Sequence, residues 1–593
     1  MRRRRTKIVC TLGPACEDEE ILYQMVLAGM DVARFNFSHG TQEEHGKRME
    51  LVRRASRRAG KRIGIMLDTR GPEIRLGRFE GGRARLEKGS IFELTTEEIM
   101  GNSQMASVSL KSLPDIVARG STILLDDGNI QLEVVEARGD RVITRVLNDG
   151  VVSDRKKVSL PGVRLKGLPA VDEKDKSDIL FGARRGIDFV AASFVRSAED
   201  VLDVRRVLEE AGSSAKIIAK IESVEGVEAL DEILATADGL MVARGDLGVE
   251  YPPEEIPVLQ KRMILAANRL GKPVITATQM LESMVEHPRP TRAEASDVAN
   301  AIFDGTDAVM LSAETASGKY PVEAVKFMAR IALRAEEVLD QDAFLSRLKT
   351  GFPSNVTEAV SRSAVISAAD LGASAIITPT ESGYTARMVA RFRPRVPVFA
   401  VTPHDETCGH LTCVWGVETV LVPHLREAGS VVPEFKDVSD LAIEALRREG
   451  LIEDGALCVV TKGVPQGVPG TTNVMEIRTV GRVVLKGTGI GQKAVSGRVV
   501  VAMTGQEAAS KVTPGCILVA PSTDKTYMHS LRHASALILE QGGLTSDGAI
   551  AALHLGIPAV VGAESATRHL KDGDVVTVDA ARGVVYRGVA SVK

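Results

Sequence analysis

The chain has 593 residues, 44% of them hydrophobic and 26% charged, with a formal net charge of -3. That is too long for one hydrophobic core, so three or four domains are expected. The near-neutral charge and an aromatic content of 4%, with one tryptophan, exclude a nucleic-acid surface built on basic stripes or stacking platforms.

The chain opens on Arg2-Arg3-Arg4-Arg5. Gly13-Pro14 follows too soon for the apolar stretch of a signal peptide, so the cluster reads as a solvated arm. From residue 7 to about 340 one unit recurs: a short apolar run, polar residues at its end, then a helical segment. The runs are Ile8–Thr11, Val32–Asn36, Ile63–Asp68, Phe189–Ser193, Ile217–Glu222, Leu240–Arg244, Val274–Thr278 and Ala308–Ser312. Continuous hydrophobicity suits strands covered on both faces, and eight strand and helix units suit a closed (β/α)8 TIM barrel. An open doubly wound sheet is the alternative.

The repeat is interrupted at residues 71–169 by glycine-rich turns and alternating stretches such as Arg141-Val142-Ile143-Thr144. This predicts a small β-barrel lid inserted after the third strand. Strand and helix signals return over 346–480 as a C-terminal α/β domain, leaving residues 481–593 as an extra domain. The catalytic barrel is thus expected at 1–70 and 170–345.

Six scattered cysteines (Cys10, Cys16, Cys408, Cys413, Cys458 and Cys516) form no Cys-x-x-Cys pair. Zinc and redox readings are therefore poor, and a reducing cytoplasm is expected. The longest apolar stretch, near residues 549–562, contains His554 and Pro558 and is too short to span a bilayer.

In a barrel, chemistry sits where the strands end. Those positions hold Arg34, Asn36, Ser38, Asp68, Thr69, Arg70, Arg75, Lys220, Glu222, Arg244, Asp246, Thr278, Gln279, Ser312 and Glu314. So many charges of both signs would be costly to desolvate without ligands. Glu222 and Asp246 offer two hard oxygen donors, suited to Mg²⁺ or Mn²⁺. Arg34, Arg75 and Lys220 supply cations for an anionic substrate. Carboxylate-held metal with cations around an anion is the equipment of phosphoryl transfer. No P-loop is present.

Seven segments in order resemble the pyruvate kinases over residues 1 to about 480. They are Lys7–Pro14, Asn36–Gly40, Leu67–Arg75, Ala219–Glu222, Ala243–Gly248, Ala277–Leu281 and Leu311–Thr315. The resemblance implies phosphoenolpyruvate plus ADP giving pyruvate plus ATP, the last step of glycolysis. It implies Mg²⁺ or Mn²⁺ on Glu222 and Asp246, with Lys220 neutralising the phosphoryl in flight and Arg34 and Arg75 on phosphate oxygens. Ala243, Arg244, Gly245, Asp246 and Thr278 would seat the substrate, and Thr278 or Ser312 would serve proton delivery. Asn36, His39, Arg70 and Lys156 are implied on the nucleotide side. Asn36, Ser38, Asp68 and Thr69 are implied as K⁺ ligands, and Glu73, where potassium-independent relatives carry lysine, predicts potassium dependence.

Further on, Thr378, Thr380, Ser382, Gly383 and Thr385 form a hydroxyl-rich turn before a helix. It resembles the family's regulatory phosphate loop, for AMP or a sugar phosphate, although Tyr384 stands where lysine is common. A cytoplasmic homotetramer is implied. From about 482 the chain resembles the mobile phosphohistidine domain of phosphoenolpyruvate-using synthases and dikinases, through Glu540–Ala549, which implies a swivelling β/β/α fold for residues 481–593. Asp547 occupies the histidine position, so a docking or stabilising role is expected. The competing readings are a metal-dependent lyase or aldolase and a phosphocarrier or ligand sensor.

Overall fold

A computed structural model describes residues 4–164, 168–348, 355–425, 437–464, 471–481 and 483–588. Eight strands close into a barrel in which every neighbour pair is parallel. They are β1 (Lys7–Thr11), β2 (Val32–Asn36), β3 (Gly64–Asp68), β4 (Phe189–Ala192), β5 (Lys216–Ile221), β6 (Gly239–Ala243), β7 (Val274–Ala277) and β8 (Ala308–Leu311). Each coincides with one of the eight apolar runs.

The runs are continuous because each strand is buried on both sides. Val9, Met66, Phe189, Met241, Ile275 and Met310 fill the inside of the barrel. The alternate residues, such as Ile8, Leu67, Ile217 and Val242, pack outward under the helices. Helices start where a short polar side chain takes over orphan backbone amides. Thr41 with Glu44 and Thr291 with Glu294 make reciprocal capping boxes, and Asp172, Ser197 and Ser223 each cap singly.

Between β3 and β4 the chain makes a seven-stranded sheet and a two-stranded one from short strands spanning residues 74–159. Here hydrophobicity alternates, as along Arg83–Leu86, because one face is wet and the other covers a separate core of Phe79, Leu86, Phe92, Leu94 and Leu132. A short helix, Leu113–Ile116, interrupts it.

The solvated-arm expectation for the N-terminus needs correction at Arg4 and Arg5. Arg4 is 10% exposed and pairs with Asp31 at 2.7 Å, while the Arg5 guanidinium lies 5.6 Å from the centre of the Trp415 ring. Arg2 and Arg3 lie outside the described residues.

Contacts divide the chain into two compact units. The barrel and lid belong to the first, residues 1–352 with 386–393 and 404–419. The second carries two further sheets. One has five strands in the order Val417–Leu421, Val398–Thr402, Ala375–Pro379, Leu457–Gly463 and Thr472–Thr479. The other is an eight-stranded mixed sheet from residues 483–587, with helices Gly505–Lys511 and Asp547–Leu555 among its connections. No helix of the described residues is long and apolar enough to cross a membrane.

Candidate active site

Lys220 is the second-to-last residue of β5 and its side chain is 10% exposed. Its ammonium lies 3.0 Å from Asp68 Oδ1 and 3.0 Å from Glu222 Oε1, and donates to Ser193 Oγ at 2.6 Å. Burial works against that charge, but Asp68 and Glu222 overcome it and raise the Lys220 pKa. Arg34, midway along β2, donates from Nε to Asp68 Oδ2 at 2.6 Å and from Nη1 to Thr11 Oγ1 at 2.8 Å. Burial alone would raise the Asp68 pKa; Arg34 and Lys220 hold it below the usual carboxylate range.

Glu222 is 1% exposed and accepts the Phe194 amide at 2.6 Å. Burial is the main force pushing its pKa up, with Asp246 adding to it against the pull of Lys220. Asp246 moves the other way. Burial opposes its charge, but Lys157 and Lys220 lower its pKa, and it also hydrogen-bonds Glu222. Two buried carboxylates at the ends of adjacent strands form a donor set that a divalent cation fits. No third His, Cys, Asp or Glu joins them among the described residues. Remaining ligands for such an ion would therefore come from substrate and water.

The loop after β7 is strained. Thr278 and Gln279 have φ of 68° and 54°, left-handed backbone that costs L-residues about 1–2 kcal/mol each. The turn brings Thr278 Oγ1 to 2.8 Å from the Gly245 amide, in the first turn of helix Arg244–Glu250 that directly follows β6. The Arg244 side chain points away from the carboxylate pair. It donates to the Thr278 carbonyl at 2.7 Å and pairs with Asp297 at 2.8 Å. Glu314 is wholly buried and bridges the ends of β7 and β8, accepting from Leu281 N at 3.0 Å and Ser312 N at 2.6 Å.

The fold does not bring every candidate to one place. Asn36 Oδ1 accepts the Ser38 amide at 3.1 Å, and Thr69 Oγ1 accepts the Ser193 amide at 3.1 Å. Arg70 turns to Asp172, while its amide and that of Gly71 bond Asp175 at 3.0 and 2.9 Å. Arg75 pairs with Glu73 and is 40% exposed. His39 is exposed. Lys156 reaches away from the carboxylate pair, to Asp126 at 2.6 Å. Its neighbour Lys157, opposite Arg75 in the lid sheet, is the one that enters, pairing with Asp246 and lying 4.5 Å from the Phe194 ring centre. Burial opposes the Lys157 charge, yet Asp246 raises its pKa. Ser193 and Phe194 also join the site unannounced. The strand-end rule could have flagged both, since they directly follow β4.

In the second unit, Thr378 Oγ1 donates to the Phe399 carbonyl at 3.2 Å, Thr380 Oγ1 accepts the Gly383 amide at 3.0 Å, and Thr385 bonds Thr472 at 2.8 Å. Ser382 is exposed. Asp547 opens helix Asp547–Leu555, exposed and without an ion pair among the described residues.

A closed barrel with a buried carboxylate pair, flanked by ammonium and guanidinium groups at its strand ends, has the equipment of a phosphotransferase. A model for the barrel domain of pyruvate kinase matches residues 3–325. The chain belongs to the pyruvate kinase family. Models for the pyruvate kinase alpha/beta domain and for the mobile domain of PEP-utilising enzymes match residues 358–478 and 512–583. Pyruvate kinase of Geobacillus stearothermophilus is 51% identical over 593 residues, all of both chains. That of Bacillus licheniformis is 50% identical over 592 residues, covering 99% of this chain and 100% of the relative. A crystal structure of a pyruvate kinase from Cryptosporidium parvum superposes with a TM-score of 0.75 at 42% identity, covering 80% of this chain and 96% of that one.

Proposed function

We propose that the barrel strand ends transfer the phosphoryl group of phosphoenolpyruvate to ADP, with Lys220 facing the group in flight. The observation that carries this is the Lys220 ammonium held 3.0 Å from both Asp68 and Glu222. It is a permanent charge beside a carboxylate pair, placed where negative charge would develop. Arg34 and Arg75 bind phosphate oxygens. The first-turn amides of helix Arg244–Glu250, with Ala243 and Thr278, seat the substrate carboxylate. As the enol-phosphate P–O bond breaks, the phosphoryl passes to the terminal ADP oxygen and the enolate carbon takes a proton by way of Thr278 or Ser312.

Glu222 and Asp246 would hold Mg²⁺ or Mn²⁺, while Asn36, Ser38, Asp68 and Thr69 would hold K⁺. These cations supply charge neutralisation for the phosphoryl oxygens. On the nucleotide side, Asn36, His39 and Arg70 are joined by Lys157 in preference to Lys156. In the second unit, Thr378, Thr380, Ser382, Gly383 and Thr385 form an effector loop for AMP or a sugar phosphate. The working parts follow the division 1–70 with 170–345, 71–169, 346–480 and 481–593. The assembly is a cytoplasmic homotetramer acting in glycolysis. A lactate-dehydrogenase-coupled assay with phosphoenolpyruvate, ADP, Mg²⁺ and K⁺ tests the reaction; no pyruvate formation there would overturn it.

A further inference from the structure

The approaches to β3 and β4 enclose a cavity of about 490 Å³ at the N-terminal end of the barrel, together with the last turns of helix Gln42–Ala59 and Asp405. β3 runs from this cavity to the active site: Gly64 begins it and Asp68 ends it. The volume lies within the range of small-molecule sites. Its floor is apolar, made by Val52, Ile63 and Ile65. Its walls carry Arg53, Arg57, Lys61 and Arg62 against only two carboxylates, Asp188 and Asp405.

Those carboxylates are both taken by one cation. Arg62 donates to Asp405 at 2.7 Å and to Asp188 at 3.2 Å. Lys61 is drawn off to Asp31 at 2.8 Å and the Met30 carbonyl at 2.7 Å. Arg53 donates to the Arg185 and Gly186 carbonyls and makes no direct ion pair among the described residues, Asp188 acting on its charge only through space. Burial, the largest influence on it, lowers its pKa. Arg57, one helical turn on, has no side-chain partner among the described residues. A helix dipole accounts for a cation in the last turn, as at Arg57. Arg53, one turn earlier on the same face, meets the carbonyls that close helix Glu173–Arg184, and the wall as a whole still carries four cations against two carboxylates.

We propose that this cavity binds a small phosphomonoester. The Arg53 and Arg57 guanidinium forks hold the phosphate, and the organic part lies over Val52, Ile63 and Ile65. The site is separate from the strand-end chemistry and from the hydroxyl loop of the second unit.

The test is calorimetric titration of the full-length enzyme with ribose 5-phosphate and, separately, with inorganic phosphate. Wild type is compared with Arg57→Glu, Arg53→Gln and the loop variant Thr380→Val. Arg57 is exposed, so its reversal leaves the fold intact; a thermal melt checks this for both arginine variants. The expected result is a ribose 5-phosphate component that persists in Thr380→Val and weakens at least about tenfold in each arginine variant, with kcat unchanged. Isotherms identical in wild type and Arg57→Glu overturn the site. Equal Arg57-dependent binding of inorganic phosphate and ribose 5-phosphate overturns the phosphomonoester assignment in favour of the free anion.

Discussion

Replacing Lys220 with methionine keeps most of the side-chain volume and removes the charge. Each contact at 3.0 Å corresponds to about 5 kcal/mol of attraction at an effective dielectric of about 20. Desolvation offsets most of that in the intact pair, so the cost of the variant comes from stranding carboxylates. Breaking a buried pair typically costs about 3–5 kcal/mol. The lower end applies here, because Arg34 stays on Asp68 at 2.6 Å. Catalysis loses more. One neutral donor aimed at developing charge is worth about a hundredfold to a thousandfold, so loss of a full charge in a dry site should lower kcat by about a thousandfold or more. The KM for phosphoenolpyruvate should move far less, since the interaction matters most in the transition state. Coupled steady-state kinetics read the split, and a thermal melt establishes that the variant is folded. A folded Lys220→Met enzyme keeping more than about a tenth of wild-type kcat would refute the reasoning.

Three further outcomes are expected. Lys157→Met should raise the KM for ADP or lower kcat by at least about tenfold, because it removes the only lid cation on Asp246 among the described residues, whereas Lys156→Met should change either by less than about twofold. Reversed effects in the same kinetics would restore Lys156. Glu73→Lys should supply an ammonium in place of the proposed K⁺, so activity in potassium-free buffer should rise and stimulation by added K⁺ should shrink; unchanged stimulation counts against the proposed cation site. His410 is held neutral, burial pushing its pKa down to about 4. Since the unfolded chain protonates first, near pH 6.5, stability should fall by about 1–2 kcal/mol as pH drops from about 6.5 to 4, allowing for partial exposure. His410→Gln should flatten that part of the melting-temperature profile, and an unaltered profile would count against it.

The barrel was legible because its signal is redundant. Each strand, from Lys7–Thr11 to Ala308–Leu311, is apolar on both faces and ends in polar residues, so length, hydrophobicity and order agree. The lid was legible from its change of texture to alternation. Facing within the site was harder to read. Lys156 and Lys157 are adjacent, and only the pairing of Lys157 with Arg75 decides which one turns toward Asp246. The left-handed turn at Thr278 and Gln279 carries no glycine to announce it. Arg4 looked like part of a solvated tail because its partner, Asp31, is contributed by the approach to β2.

That turn has an evolutionary consequence. Glycine at position 278 would relieve about 1–2 kcal/mol of backbone strain while deleting the hydroxyl that meets the Gly245 amide. A selection for heat tolerance alone would reward that substitution, and one for turnover would purge it. Threonine at this position therefore keeps a strained turn in exchange for one fixed hydroxyl.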